Sequence, residues 1–237
     1  MTMSKDYLVR LAARNNAEWC EAMCRSHGLT GAFSPQAWTA AVRTPLFYPD
    51  AVTLAPAADA AELVHSIDTA APGASIKDSF ADRDLTGYGF GVLFDAQWIW
   101  RPAGPPAAAS DLDWEVVREP ASLHDWALAW DGGDGNADLF GPALLEDAAT
   151  FVLAGRSADG RLAAGAVASR SEQVVGVSNV FALDGDADAA WPGVLAALHE
   201  LFPAVPVVGY EHGDDLAAAV RHGFAPIGPL RVWMHGL

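Results

Sequence analysis

The chain has 237 residues, 51% of them hydrophobic, enough for one large or two small domains with a substantial core. With 30 acidic against 14 basic side chains the net charge is −16, which opposes binding to nucleic-acid backbones and anionic membranes and favours neutral or cationic partners. No run of about 18 apolar residues is present to span a bilayer, and the N-terminal residues lack a basic-then-apolar signal pattern, so a cytoplasmic protein is expected.

In chain order, Asn16 reads as the N-cap of a helix carrying Trp19, Cys20, Met23 and Cys24 on one face, with Gly28 beyond its end. Cys20 and Cys24 are the only cysteines and have no matching His or Cys pair, so they read as buried thiols and no metal site is expected. Ser34-Pro35 predicts a second helix to about Arg43, from a cap followed by proline at the first helical position. Short strands are expected over 51–55 and 75–80, a helix over 60–67, a helical turn or two over 82–88 and a long strand over 92–100. The Pro- and Ala-rich segment 102–110 reads as a linker, dividing the chain into 1–105 and 111–237.

Beyond it, 114–117 is a strand candidate, and Ser122 reads as the cap of a helix carrying Leu123, Trp126, Leu128 and Trp130. Asp131, Asp134 and Asp138 lie in a Gly/Asp loop without the ligand spacing of a helix-loop-helix calcium site, which makes it a solvated loop. Strands over 150–154, 161–169 and 174–182 form a meander, followed by a helix over 191–202 with Val194, Leu195, Leu198 and Leu201 apolar. The stretch 207–233 then reads as strand, helix and strand. An apolar run ends in Gly209, Asp214 and Asp215 open a helix where its dipole favours acids, Gly223 fits a left-handed cap, and a turn over 226–229 leads to a last strand.

The segments 75–100 and 207–233 share an order of features: strand, acidic helix start, Gly-Phe (Gly89-Phe90 and Gly223-Phe224) and a closing strand with Trp. This reads as a degenerate duplication of one supersecondary unit, the N-terminal copy lacking the hairpin strands.

From about Trp114 to His235 the order of helix, three antiparallel strands, helix, strand, helix and strand resembles the GNAT acyltransferases, whose closing motif runs roughly A-x-x-x-Y-x-x-x-G-F. Gly223 and Phe224 keep the end of that motif. Its Ala falls on Asp215, and its Tyr, the family's common acid for the departing thiolate, falls on Ala219. The resemblance implies an α/β fold with a mixed GNAT-type sheet, built as two GNAT-like halves with the first truncated. It also implies an N-acyltransferase taking acetyl-CoA or another acyl-CoA and a small-molecule amine, the alternative being a non-catalytic GNAT-like binding or scaffolding protein.

The family holds the pyrophosphate of its donor on backbone amides at a helix start, because glycines let the backbone approach and the dipole favours anions. Asn179, polar within the apolar strand over 174–182, is a candidate to bind an amide or the cofactor or else to satisfy the backbone of a bulge, and Val180, Phe181 and Ala182 follow it as donor-binding candidates. Gly193 and Val194 match the phosphate motif by resemblance, and Arg221 is a basic group that pairs either with a phosphate or with a surface acid. Ala190 replaces the motif's Gln/Arg and Leu195 its second Gly. Asp184, Asp186 and Asp188 line the approach, each opposing a phosphate by about 1 kcal/mol at ~4 Å even in bulk water. Glu211 and His212, just past the strand before the closing helix, are the candidate catalytic bases for an amine.

Overall fold

In the computed structural model, which describes residues 3–106 and 108–237, the chain divides into two compact units, Met1–Trp98 with Pro226–Leu237 and Ile99–Ala225. Ala107, within the segment expected as a linker, lies outside the described residues.

In the first unit, helix α1 spans Lys5–Ser26 and begins well before the expected cap at Asn16. Ser4 is the cap, its Oγ accepting the Tyr7 amide at 3.3 Å, and Leu8, Val9, Ala12 and Ala13 extend the buried stripe of Trp19, Cys20, Met23 and Cys24. Asn16 instead accepts a 2.9 Å hydrogen bond from Lys77 Nζ.

Over 34–43, where the sequence predicts a helix, strands β1 (Ala32–Phe33) and β2 (Ala37–Thr39) pair as a hairpin. Ser34 Oγ accepts the amides of Gln36 and Ala37 at 3.2 and 3.0 Å, so the residue read as a helix cap closes a turn, and Trp38 is carried into the core.

Then follow β3 (Ala51–Thr53), α2 (Ala60–His65), β4 (Ser75–Asp78), a 3-10 turn (Thr86–Tyr88) and β5 (Phe90–Arg101), which carries the chain into the second unit. The last strand, β11 (Ala225–His235), returns to the first unit, where the strand order is β1-β2-β3-β4-β11-β5. The turn expected over 226–229 is instead part of this continuous strand. Its pairing with β4 runs from Arg231 to Met234, past both prolines, so their missing N–H groups cost no rung on that side.

The second unit contains β6 (Asp113–Val116), α3 (Pro120–Asp131), β7 (Thr150–Arg156), β8 (Leu162–Arg170), β9 (Val175–Ala182), α4 (Ala187–Leu201), β10 (Val207–Glu211) and α5 (Gly213–Arg221). Helix α3 starts with Pro120 after Glu119, two residues ahead of Ser122. The strands lie in the order β10-β9-β8-β7-β6; β6 to β9 pair antiparallel, while β9 and β10 run parallel. Trp191, Val194, Leu195 and Leu198 of α4 and Ala218 and Ala219 of α5 pack with Leu153, Ala166, Val175 and Val177 into one core. The loop after α3 is organised by Asp131, whose buried carboxylate accepts the amides of Gly135 and Asn136 at 2.8 and 2.6 Å. The fold is thus mixed α/β, as the sequence predicts, with parallel and antiparallel strands in each unit.

Candidate functional site

β9 and β10 are paired over only two rungs, Val175–Val207 and Gly176–Val208, although both strands continue. The cause lies in β9. Ser178 stands opposite Val167 of β8 and Phe181 opposite Gly165, so Asn179 and Val180 together face the single residue Ala166. Such a two-to-one bulge bends its strand and leaves backbone groups outside the ladder. Asn179 takes φ +54°, a left-handed conformation that Asn tolerates better than most residues, and its Nδ2 donates to Ser178 Oγ at 3.0 Å. At the start of the gap a Cβ on Gly209 would stand 3.0 Å from the Val177 carbonyl, so a glycine there admits the close approach of the strands before they part.

Glu211 ends β10, three residues past the last rung, on a half-buried site. Burial, and then the negative charge of Asp215, push its carboxyl up to about 7. His212 is exposed and occupies the N-cap position of α5 without capping it through its side chain.

The remaining sequence candidates separate into different environments. Val180 packs against the main core, whereas Phe181 makes an edge contact with Trp126 at 5.2 Å between ring centroids; Ala182 stands opposite Ala164. Gly193 and Val194 lie inside α4, which starts at Ala187, so their position is not the helix start at which the sequence motif would place them. A Cβ on Gly193 would meet Trp114 Nε1 at 1.9 Å, and Val194 is fully buried: both serve the packing of helix on sheet. Ala219 is likewise fully buried in the core.

Arg221, in the last turn of α5, forms a 3.0 Å ion pair with Asp188 in the first turn of α4. His222 Nε2 meets the other oxygen of the same carboxylate at 2.8 Å. Burial pulls the Asp188 carboxyl upward, but the hydrogen bonds and charges of Arg221 and His222 outweigh it and hold the group below its usual value. The sequence gives no sign of His222, because its partner is 34 residues away and no motif spans the two. A separate shallow pocket of about 90 Å³ in the first unit, lined by Phe33, Gln36, Asp59 and Glu62 among others, includes none of the sequence candidates. Among the described residues no cluster of three or more His, Cys, Asp or Glu side chains is arranged to hold a metal, and no helix is long and apolar enough to cross a membrane.

No protein-family model matches the chain. A search of curated proteins gives no match either. Among solved structures, a GCN5-related N-acetyltransferase from Kribbella flavida is similar at a TM-score of 0.62 and 18% identity, over 94% of this chain and 95% of that one. A functionally unknown conserved protein from Staphylococcus epidermidis matches at 0.56 and 9% identity, over 74% of this chain and 76% of that one. A GNAT-family protein from Novosphingobium aromaticivorans matches at 0.53 and 16%, over 91% and 94%. These likenesses give the chain a divergent form of the GNAT N-acetyltransferase fold.

Proposed function

We propose that the protein is an N-acyltransferase that moves an acyl group from a thioester of the coenzyme A type to a small-molecule amine in the gap between β9 and β10. The observation that carries this reading is Glu211, a carboxyl that burial pushes up to about 7, on a strand end beside the bulge of Asn179. A base near neutrality gains the most from both protonation states, and an amine must lose a proton before it attacks. In this reading Glu211 accepts that proton, directly or through one water. The nitrogen forms the new C–N bond at the thioester carbon as the C–S bond breaks, and the thiolate takes its proton from solvent. Backbone groups freed by the bulge offer hydrogen bonds to the donor and its carbonyl. His212 is then an exposed neighbour at the start of α5, and the −16 net charge favours cationic acceptors.

The second reading, a non-catalytic binding or scaffolding protein of GNAT fold, is favoured by one observation: Ala219, where the family motif has its thiolate acid, is buried in the core and has no acidic group. Thiol release from acetyl-CoA in the presence of a panel of amines separates the two. Amine-dependent release that falls in Glu211→Gln supports the transferase; no release with any amine supports the binding protein.

A further inference from the structure

A helix start holds a diphosphate with free backbone amides, its positive dipole end and nearby basic side chains. Several amides of the segment leading into α4, and one in its first turn, are bonded internally. The Leu183 amide donates to Ala163 O at 2.8 Å, Gly185 to Ala182 O at 3.1 Å, Asp186 to Asp184 Oδ1 at 3.1 Å and Ala189 to Asp186 O at 3.1 Å. An anion is already in place, since the Asp188 carboxylate sits in the first turn of α4. The two basic groups at the end of α5, Arg221 and His222, are both turned onto it, at 3.0 and 2.8 Å. Were Arg221 to swing to a phosphate, it would leave Asp188 less compensated beside that phosphate, with exposed Asp184 and Asp186 adding like charge.

The strand gap differs. A pantetheine arm is an uncharged chain of amides and methylenes, which an open strand edge recognises as it would an added strand. The bulge at Asn179 and the separation of β9 from β10 past Gly176–Val208 provide that edge.

We infer that the acyl donor is recognised through its acyl-pantetheine arm, and that Asp188, held by Arg221 and His222, excludes the adenosine diphosphate portion from the α4 helix start. The donor class is therefore an acyl-pantetheine thioester for which the nucleotide contributes little. This rests on the acyltransferase reading above. It assigns Arg221 to Asp188 rather than to a donor phosphate, and Asp188 becomes the residue that sets donor specificity.

The test is calorimetric titration of the full chain with three probes: acetyl-CoA, acetyl-pantetheine, and 3′-phosphoadenosine 5′-diphosphate as the nucleotide fragment. The expected result is that acetyl-CoA and acetyl-pantetheine bind within about threefold of each other and that the nucleotide does not displace acetyl-pantetheine. Asp188→Asn, which removes the carboxylate charge and releases Arg221 and His222, should strengthen acetyl-CoA about tenfold and leave acetyl-pantetheine unchanged. The wild-type ratio tests the inference even where that variant fails to fold. Acetyl-CoA binding about thirtyfold or more tighter than acetyl-pantetheine, or displacement by the nucleotide, overturns the inference and leaves the transferase reading standing. Binding of neither thioester overturns both.

Discussion

Asn179 and Glu211 each stand three residues beyond the last paired rung, Gly176–Val208, on adjacent parallel strands, so both reach the same end of the sheet as β9 and β10 part. One brings a left-handed backbone and a bulge, the other a carboxyl pushed up to about 7. Their separation in sequence hides this relationship, which exists only because the two strands run parallel and stop pairing.

Glu211 should set the pH dependence of the rate. A base with its midpoint near 7 is mostly protonated in acid, so amine-dependent turnover should rise about tenfold per pH unit below that midpoint and level off above it. Glu211→Gln should lower kcat by about 10²–10⁴-fold and abolish this limb of the profile. Steady-state rates across pH 5–9 with circular dichroism as a folding control measure both. An unchanged profile in Glu211→Gln removes it as the base.

The same group should appear in stability. Its folded value is raised above the usual 4.5, so the contribution of the protonated form is complete below about 4.5 and is lost as pH rises through about 7. At pH 8.5 the buried carboxylate is a cost of up to about 3 kcal/mol, which Glu211→Gln does not carry. The variant should therefore gain in Tm over the parent at pH 8.5 and differ little at pH 4.5. Equal Tm differences at the two values would place Glu211 in water.

What the sequence makes legible divides along physical lines. The meander β7–β9, α5, and the strands over 75–78 and 207–211 follow from local periodicity and glycine punctuation, which act over a few residues. The hairpin at Ser34 escapes such reading because a Ser side chain closes a turn with the same local hydrogen bonds that begin a helix. Asn179 is legible as a polar residue in an apolar strand, and Glu211 as a carboxylate at a strand end. The Asp188–His222 contact is not legible at all, being made by two helix ends far apart in the chain. The helix expected over 191–202 begins earlier, at Ala187, and Pro192 lies inside it.

Asn179 should tolerate Gly but not a branched side chain. Its φ of +54° costs a non-Gly, non-Asn residue about 1–2 kcal/mol, and more for a residue branched at Cβ. Asn179→Gly is expected to fold with near-parent stability, while Asn179→Val loses about 1–3 kcal/mol in denaturant titration. If the bulge also presents backbone to the donor, Asn179→Val should weaken acetyl-pantetheine binding and Asn179→Gly should not.

Gly193 tests whether the residue matched to the phosphate motif acts in packing. The added Cβ of Gly193→Ala would meet Trp114 Nε1 at 1.9 Å and Ser110 Oγ at 2.7 Å, distances at which an atom must move. Overpacking of this kind costs about 1–3 kcal/mol, so the variant should lose stability with donor affinity near the parent's. Trp114→Phe, which removes the indole nitrogen from the collision, should restore part of the loss in the double variant. A drop in donor affinity with unchanged stability would instead put Gly193 at the ligand.

Ala219→Tyr asks whether the missing acid can be restored at the motif position. Ala219 is fully buried, its carbonyl accepts the Phe224 amide at 3.1 Å, and its neighbours in the core are filled by larger side chains such as Trp191 and Phe224. A tyrosine there would overpack the core shared with Trp191 and Phe224, and its hydroxyl would be buried without an assured partner. The variant is therefore expected to lose about 3 kcal/mol or more and to gain no turnover, because the filled core around Ala219 does not admit a tyrosine ring. Thermal unfolding together with thiol release measures this. A folded Ala219→Tyr with a raised kcat would show that α5 can turn its face, and that the acid was lost by substitution rather than by packing.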